Sequence, residues 1–503
     1  MSRASRMFRN VLMAVAAIAM AFALAPSLAR SAYATESTSA THDLTITGTK
    51  SDHTYEAYQI FTGDLSTNEG GDKILSNVQW GEGVTYTGDL ASAQAVAEAL
   101  EAGTVKIEGL ASQLTLTTPK ATVESSAGTT VFQGLPNGYY LVKDKDGSQD
   151  NKQDAYTSII VQVVGDTTVQ VKSDVPQVQK KVKDANFSTG AVTGWQDSAD
   201  YSSGDTVPYQ ITGTLPSNFA DYETYAYAFH DEMSKGLTFN ADSAKIYVND
   251  DPNQDVTSLF TPSVQTNDDG TTVTWSAADL KKAGYELNST SHVVVEYTCT
   301  LNDDAVMGKP GNPNDVYLTF SNNPNKGGEG SQGQTPKDKA IVFTYQVLVN
   351  KVDPEGHPLS GAAFTLQRKQ ADGSYKDVKT TTAGDATSFS FKHLDDGVYR
   401  LIESTAPEGY NKIDDIDFVV TADHDIESSD PQLTQLNGNV QSGAITFATN
   451  VDQGSLTTDV ENRKGSTLPS TGGMGTTVLY VGGVAIAIAS AAGVMALRRG
   501  KKN

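Results

Sequence analysis

One cysteine, Cys299, stands in 503 residues, so no intramolecular disulfide can form. The odd positions Val293, Val295, Tyr297, Cys299 and Leu301 fall on one face of a strand, which makes Cys299 a small core residue rather than a reactive thiol. Positive charge is also short: 37 Lys and Arg against 60 Asp and Glu give a formal charge of −23, a surface that repels nucleic acid and anionic lipid. His42, His53, His230, His292, His357, His393 and His424 are scattered without zinc-binding spacing, and neither a Gly-x-Ser-x-Gly motif nor a phosphate loop occurs. Gly327-Gly328-Glu329-Gly330 reads as flexible linker. The sequence therefore offers no motif for a metal, a cofactor or catalytic turnover on an outside substrate.

The two ends carry the long apolar runs. Arg3, Arg6 and Arg9 precede an apolar stretch from Val11 to Ala25 and then Ala32-Tyr33-Ala34, the pattern of a secretory signal peptide over residues 1–34. At the other end Leu468-Pro469-Ser470-Thr471-Gly472 is followed by an apolar run from Val478 to Leu497 and by Arg498, Arg499, Lys501 and Lys502. An apolar helix of that length just spans a hydrocarbon core of about 30 Å, with the basic cluster held on the cytoplasmic side. This arrangement resembles the sorting signal of Gram-positive surface proteins, which implies cleavage between Thr471 and Gly472 by a sortase. Each removed piece holds four Lys or Arg and no acid, so the mature chain, Thr35 to Thr471, would carry −31.

Between the ends, alternating runs such as Thr45 to Thr49, Thr157 to Val164, Val207 to Thr214, Val316 to Phe320 and Phe343 to Val349 argue for a mainly β chain of tandem immunoglobulin-like sandwiches. One helix is expected, Ala91 to Ala102, ending before Gly103. Composition breaks divide the chain into a first unit at 35–172, a second at 173–325, a linker at 326–340, a third unit at 341–463 and the sorting region at 464–503. The phrase Phe132 to Leu141 echoes Phe391 to Leu401, each reading as a strand, a glycine turn and a returning strand, which suggests that the first and third units are related sandwiches.

Three polar groups are aimed at the core of the third unit. Lys351 shares a face with Val347 and Val349, Glu403 with Tyr399 and Leu401, and Asn462 with Leu456 and Val460. Burial raises a carboxylic acid's pKa and lowers an amine's, so the pair can exist uncharged. A neutral amine beside an amide polarised by an acid is set up to form an isopeptide bond with loss of ammonia. The box Tyr399 to Tyr410 resembles that of collagen-adhesin (Cna) B-type pilin domains, with Ser404 in place of Thr. The resemblance implies Lys351 as amine, Asn462 as acceptor and Glu403 as catalyst, with Asn450 as the rival acceptor.

In the second unit Lys180 shares a face with Val178 and Val182, and Asn322 with Leu318 and Phe320. The span Pro176 to Pro324 resembles the isopeptide-forming middle domain of sortase-assembled pilins, which implies Lys180, Asn322 and Asp231, with Lys181, Asn323 and Glu232 as alternatives. The first unit has no such trio. Lys172 stands where shaft pilins hold the lysine that joins the next subunit, although Gln170 and Val171 replace the usual Tyr and Pro; Lys181 and Lys183 are alternatives. The whole resembles a major shaft subunit of a Gram-positive pilus. Implied partners are pilin-specific and housekeeping sortases, identical subunits, tip and base pilins, peptidoglycan and a host or matrix ligand. A monomeric wall-anchored adhesin shares every feature except use of Lys172.

Overall fold

The computed structural model describes residues 40–68, 70–150, 153–171 and 174–465. The export signal, Lys172 and the segment from Leu468 through the basic tail lie outside these residues. Among the described residues no helix is long and apolar enough to cross a membrane.

Alternation of apolar and polar residues produces strands almost throughout, and they stack into sandwiches around separate cores. In the first region, one sheet runs in the order Thr167–Gln170, Thr41–Thr49, Gly128–Pro136. Its partner sheet runs Lys73–Trp80, Thr54–Thr67, Gly138–Asp144, Ser158–Val163, with Ala121–Glu124 added to Thr54–Thr67. The expected helix forms at Ala93–Glu101. Ser92 caps it by accepting the Ala95 amide, and Ala93, Val96 and Ala97 are buried.

The second sandwich has a sheet ordered Val178–Val182, Thr206–Thr214, His292–Leu301, Lys245–Val248, Asp251–Asp255. It faces one ordered Ser198–Asp200, Asp338–Phe343, Asn312–Ser321, Tyr227–Ser234, Gly270–Ala277, Thr261–Asn267. The polar stretch 326–340 is therefore no spacer between sandwiches. Gln332–Gln334 folds back on Asn312–Ser321, and Asp338–Phe343 is an internal strand of the second sandwich, ending one residue before Tyr345–Val352 begins the third. Its polar residues sit in turns and at a sheet margin, where alternation has no core to follow. The predicted strand Phe343 to Val349 correspondingly straddles two strands.

The third sandwich pairs the sheet Ser388–Leu394, Tyr345–Val352, Ser455–Glu461, Ala448–Asn450 with the sheet Tyr375–Thr380, Ala363–Lys369, Gly397–Thr405, Ile416–His424, Leu433–Val440. Its connectivity repeats that of the first: the opening strand is central, antiparallel to a mid-chain strand and parallel to the last. The echoed phrases are not hairpins. In each, the glycine turn carries the chain from one sheet to the other, and a buried tyrosine braces the corner. Tyr140 donates to the Pro136 carbonyl and Tyr399 to the Asp395 carbonyl, both at 2.8 Å.

Candidate functional site: buried amines among amides and acids

Lys351, Glu403 and Asn462 are wholly buried; Lys351 and Glu403 lie on strands of opposite sheets, and Asn462 directly follows the last strand. Lys351 lies on the opening strand in register with Val460 of the parallel last strand, two residues before Asn462. Its amine donates to the Val460 carbonyl at 2.6 Å, and the Asn462 amide N–H donates to the Val352 carbonyl at 3.0 Å. The Asn462 side-chain nitrogen donates to both Glu403 oxygens at 2.8 and 3.0 Å, and the Ile413 N–H donates to the same carboxyl at 3.0 Å. The Asn462 carbonyl oxygen has no partner, and a half-turn about Cβ–Cγ would set it against the acid. Burial lowers the Lys351 pKa to about 8, against the opposing pull of Glu403 and Glu461. The rival Asn450 is exposed and accepts the Gln453 N–H at 3.1 Å.

The second sandwich holds a similar assembly, with one change from expectation. The Lys180 amine meets Asp231 and donates to the Tyr297 hydroxyl at 2.8 Å, flanked by the stacked rings of Tyr209 and Tyr297. Desolvation dominates both members of the pair, holding Lys180 below the usual amine range and Asp231 above the usual carboxyl range. Glu232 instead pairs with Lys337 near the surface.

Asn322 is not in this cluster. Its side-chain nitrogen donates to the Gln149 and Asp154 carbonyls of the first sandwich, both at 3.2 Å, and its own carbonyl accepts the Tyr156 N–H at 2.7 Å. Asn323 caps the following turn by accepting the Asn325 N–H at 3.1 Å. The amide beside Lys180 is Asn314, wholly buried, which donates to the same Tyr297 hydroxyl at 2.9 Å and leaves its carbonyl oxygen unpartnered. Asn322 directly follows the strand that carries Asn314 and has the same parity, but the register sets Val316 opposite Asp231 and Asn314 opposite Met233. Alternation fixes the face of a residue and not its depth along the strand, so Asn314 carried the same signal as Asn322.

The first sandwich keeps only the acid. Asp144 follows the corner tyrosine Tyr140 by four residues, as Glu403 follows Tyr399, and is wholly buried. The matched registers Leu44 with Phe132 and Val347 with Phe391 align Gly48 with Lys351, so no amine is present. Asp144 instead pairs with His53 at 2.7 Å and accepts the Thr157 N–H at 2.6 Å. Of the alternatives to Lys172, Lys181 pairs with Asp197 at 2.5 Å and Lys183 lies over the Trp195 ring at 4.4 Å. Cys299 is buried against Met233.

Residues 203–324 match the family model described as Gram-positive pilin backbone subunit 2, Cna-B-like domain, and residues 345–432 match the SpaA prealbumin-like fold domain. The chain is 25% identical over 401 residues to the trypsin-resistant surface T6 protein of Streptococcus pyogenes serotype M6, covering 74% of this chain and 70% of that protein. Its fold resembles the solved structure of the T6 backbone pilin from the same serotype, with a TM-score of 0.52 at 20% identity over 85% of this chain and 99% of that one. The full-length major pilin SpaD of Corynebacterium diphtheriae aligns with a TM-score of 0.47 at 19% identity, over 86% of this chain and 99% of that one. The second sandwich thus matches a Gram-positive pilin backbone domain and the third a prealbumin-like fold domain.

Proposed function

We propose that the chain is a structural shaft pilin, joined covalently to its copies by a sortase and reinforced by internal Lys–Asn isopeptide bonds. The observation that carries this reading is the burial of Lys351, Glu403 and Asn462 together in one dry layer. In each bond the uncharged amine attacks the amide carbon while the neighbouring carboxyl group polarises the carbonyl oxygen. A proton passes from the amine through the acid to the leaving nitrogen, and one ammonia departs for each amide formed. Lys351 and Asn462 form one bond under Glu403; Lys180 and Asn314 form the other under Asp231. Such ties act on the unfolded chain as a disulfide does but resist reduction; by loop length each is worth about 4–5 kcal/mol.

Between subunits, a pilin sortase would hold the Thr471 carbonyl as a thioester until Lys172 of the next copy displaces it. A head-to-tail contact that does not close yields a filament, which a housekeeping sortase would finally fix to peptidoglycan at the cell surface.

Intact mass tests the internal chemistry: the chain is expected to weigh two ammonia molecules less than its sequence, with Lys351→Ala and Lys180→Ala each restoring one. Full sequence mass, with Lys351 and Asn462 recovered in separate peptides, would sink the reading. Lys172→Ala should abolish the high-mass ladder of wall fractions, whereas an adhesin anchored as a monomer would show no ladder to lose.

A further inference from the structure

Four carboxyls from distant segments converge where the second sandwich meets the third. Asp184 and Asp200 come from the second; Asp395 and Asp396 come from the corner turn of the third, with His424 at the end of Ile416–His424 beside them. One ligand atom each from Asp184, Asp200 and His424 lie within 4.8 Å of one another, as do one each from Asp200, Asp395 and Asp396. Asp395 is 0% exposed and Asp200 2% exposed. Neither Asp395 oxygen has a hydrogen-bond partner, and Asp200 Oδ2 has none.

The nearby donors do not balance this charge. Arg368 is committed to Asp205 at 2.9 Å and stands 3.9 Å from Asp395. His424 uses Nδ1 on Ser198 at 2.7 Å, leaving Nε2 at 3.9 Å from Asp200. Asn186 reaches only Asp396. Unpaired carboxylates at this depth carry a large desolvation penalty, which bound protons or a bound cation would relieve.

We propose that Asp184, Asp200, Asp395 and Asp396 form a calcium site that locks the joint between the second and third sandwiches. Atoms within 4.8 Å of one another are close enough to share one ion with oxygen ligands at about 2.4 Å, and a carboxylate-rich set selects a hard divalent cation. The site does not depend on the isopeptide chemistry. No spacing rule could expose it, because the four residues come from three segments far apart in the sequence.

Equilibrium dialysis of the EDTA-stripped full chain against calcium tests the proposal. One saturable equivalent is expected, lost in Asp200→Asn and in Asp395→Asn and kept in Asp353→Asn at the exposed Asp353, Glu355 and His357 cluster. At a hundredfold excess over Kd, calcium should raise the unfolding midpoint by about 5 °C. Asparagine keeps the shape and removes repulsion, so metal-free Asp395→Asn should melt no lower than metal-free wild type. The proposal is overturned if wild type binds no saturable equivalent, if both variants bind as wild type does, or if lost binding comes with a lower metal-free midpoint.

Discussion

A lysine sealed inside a β-sandwich can shed its charge by losing a proton or by becoming an amide. Lys351 exposes the difference. In Asn462→Ala no amide can form, and the amine titrates near 8 in the folded chain against about 10.4 unfolded. Between those values the unfolded state binds more protons, so the variant should gain stability as pH rises from about 8 to 10.4, by about 3 kcal/mol in all. Denaturant titrations at pH 7 and 10 would register the gain; wild type, with its amine consumed in the proposed amide, should show no such window. A flat profile in the variant would mean that the amine keeps its charge by some contact other than those described. These three side chains were legible in the sequence because a period of two aims each at a core made of its own strand neighbours. The amide beside Lys180 was misassigned, since Asn314 and Asn322 satisfy the same period and only the pairing with Tyr227–Ser234 tells them apart.

At the scale of strands and turns, the corner tyrosines are where local sequence and tertiary path agree. Tyr140→Phe removes the bond to the Pro136 carbonyl while keeping the ring, and should cost about 1 kcal/mol. Hydrogen exchange would detect it as lost protection confined to Gly128–Pro136 and Gly138–Asp144; an unchanged pattern would show that ring packing alone fixes the corner. The strands, the helix Ala93–Glu101 and the kinship of the first and third sandwiches could be read from alternation, alanine content and the echoed glycine phrase. The glycine turn itself was misread, because a hairpin and a crossing between sheets place the same residues at the same spacing. The stretch 326–340 was misread for a related reason: polar composition marks both a tether and a strand at a sheet margin.

Across the whole molecule, the joints are as specific as the cores. Asn322 and Asn325 fasten the second sandwich to the first, Asn325 donating to the Thr157 carbonyl at 2.9 Å. Asn322→Ala should leave the mass deficit intact yet weaken this joint, seen as a wider spread of distances between spin labels on the two sandwiches; restoration of one ammonia would return Asn322 to the chemistry. The parallel pairing of Tyr345–Val352 with Ser455–Glu461 carries a mechanical consequence. A pull on the third sandwich enters by the first of these strands and leaves by the second, and Lys351 and Asn462 lie where both strands end. With the amide closed, tension would cross from one strand to the other at that point, and residues 352–461 would stay slack however hard the fibre was drawn.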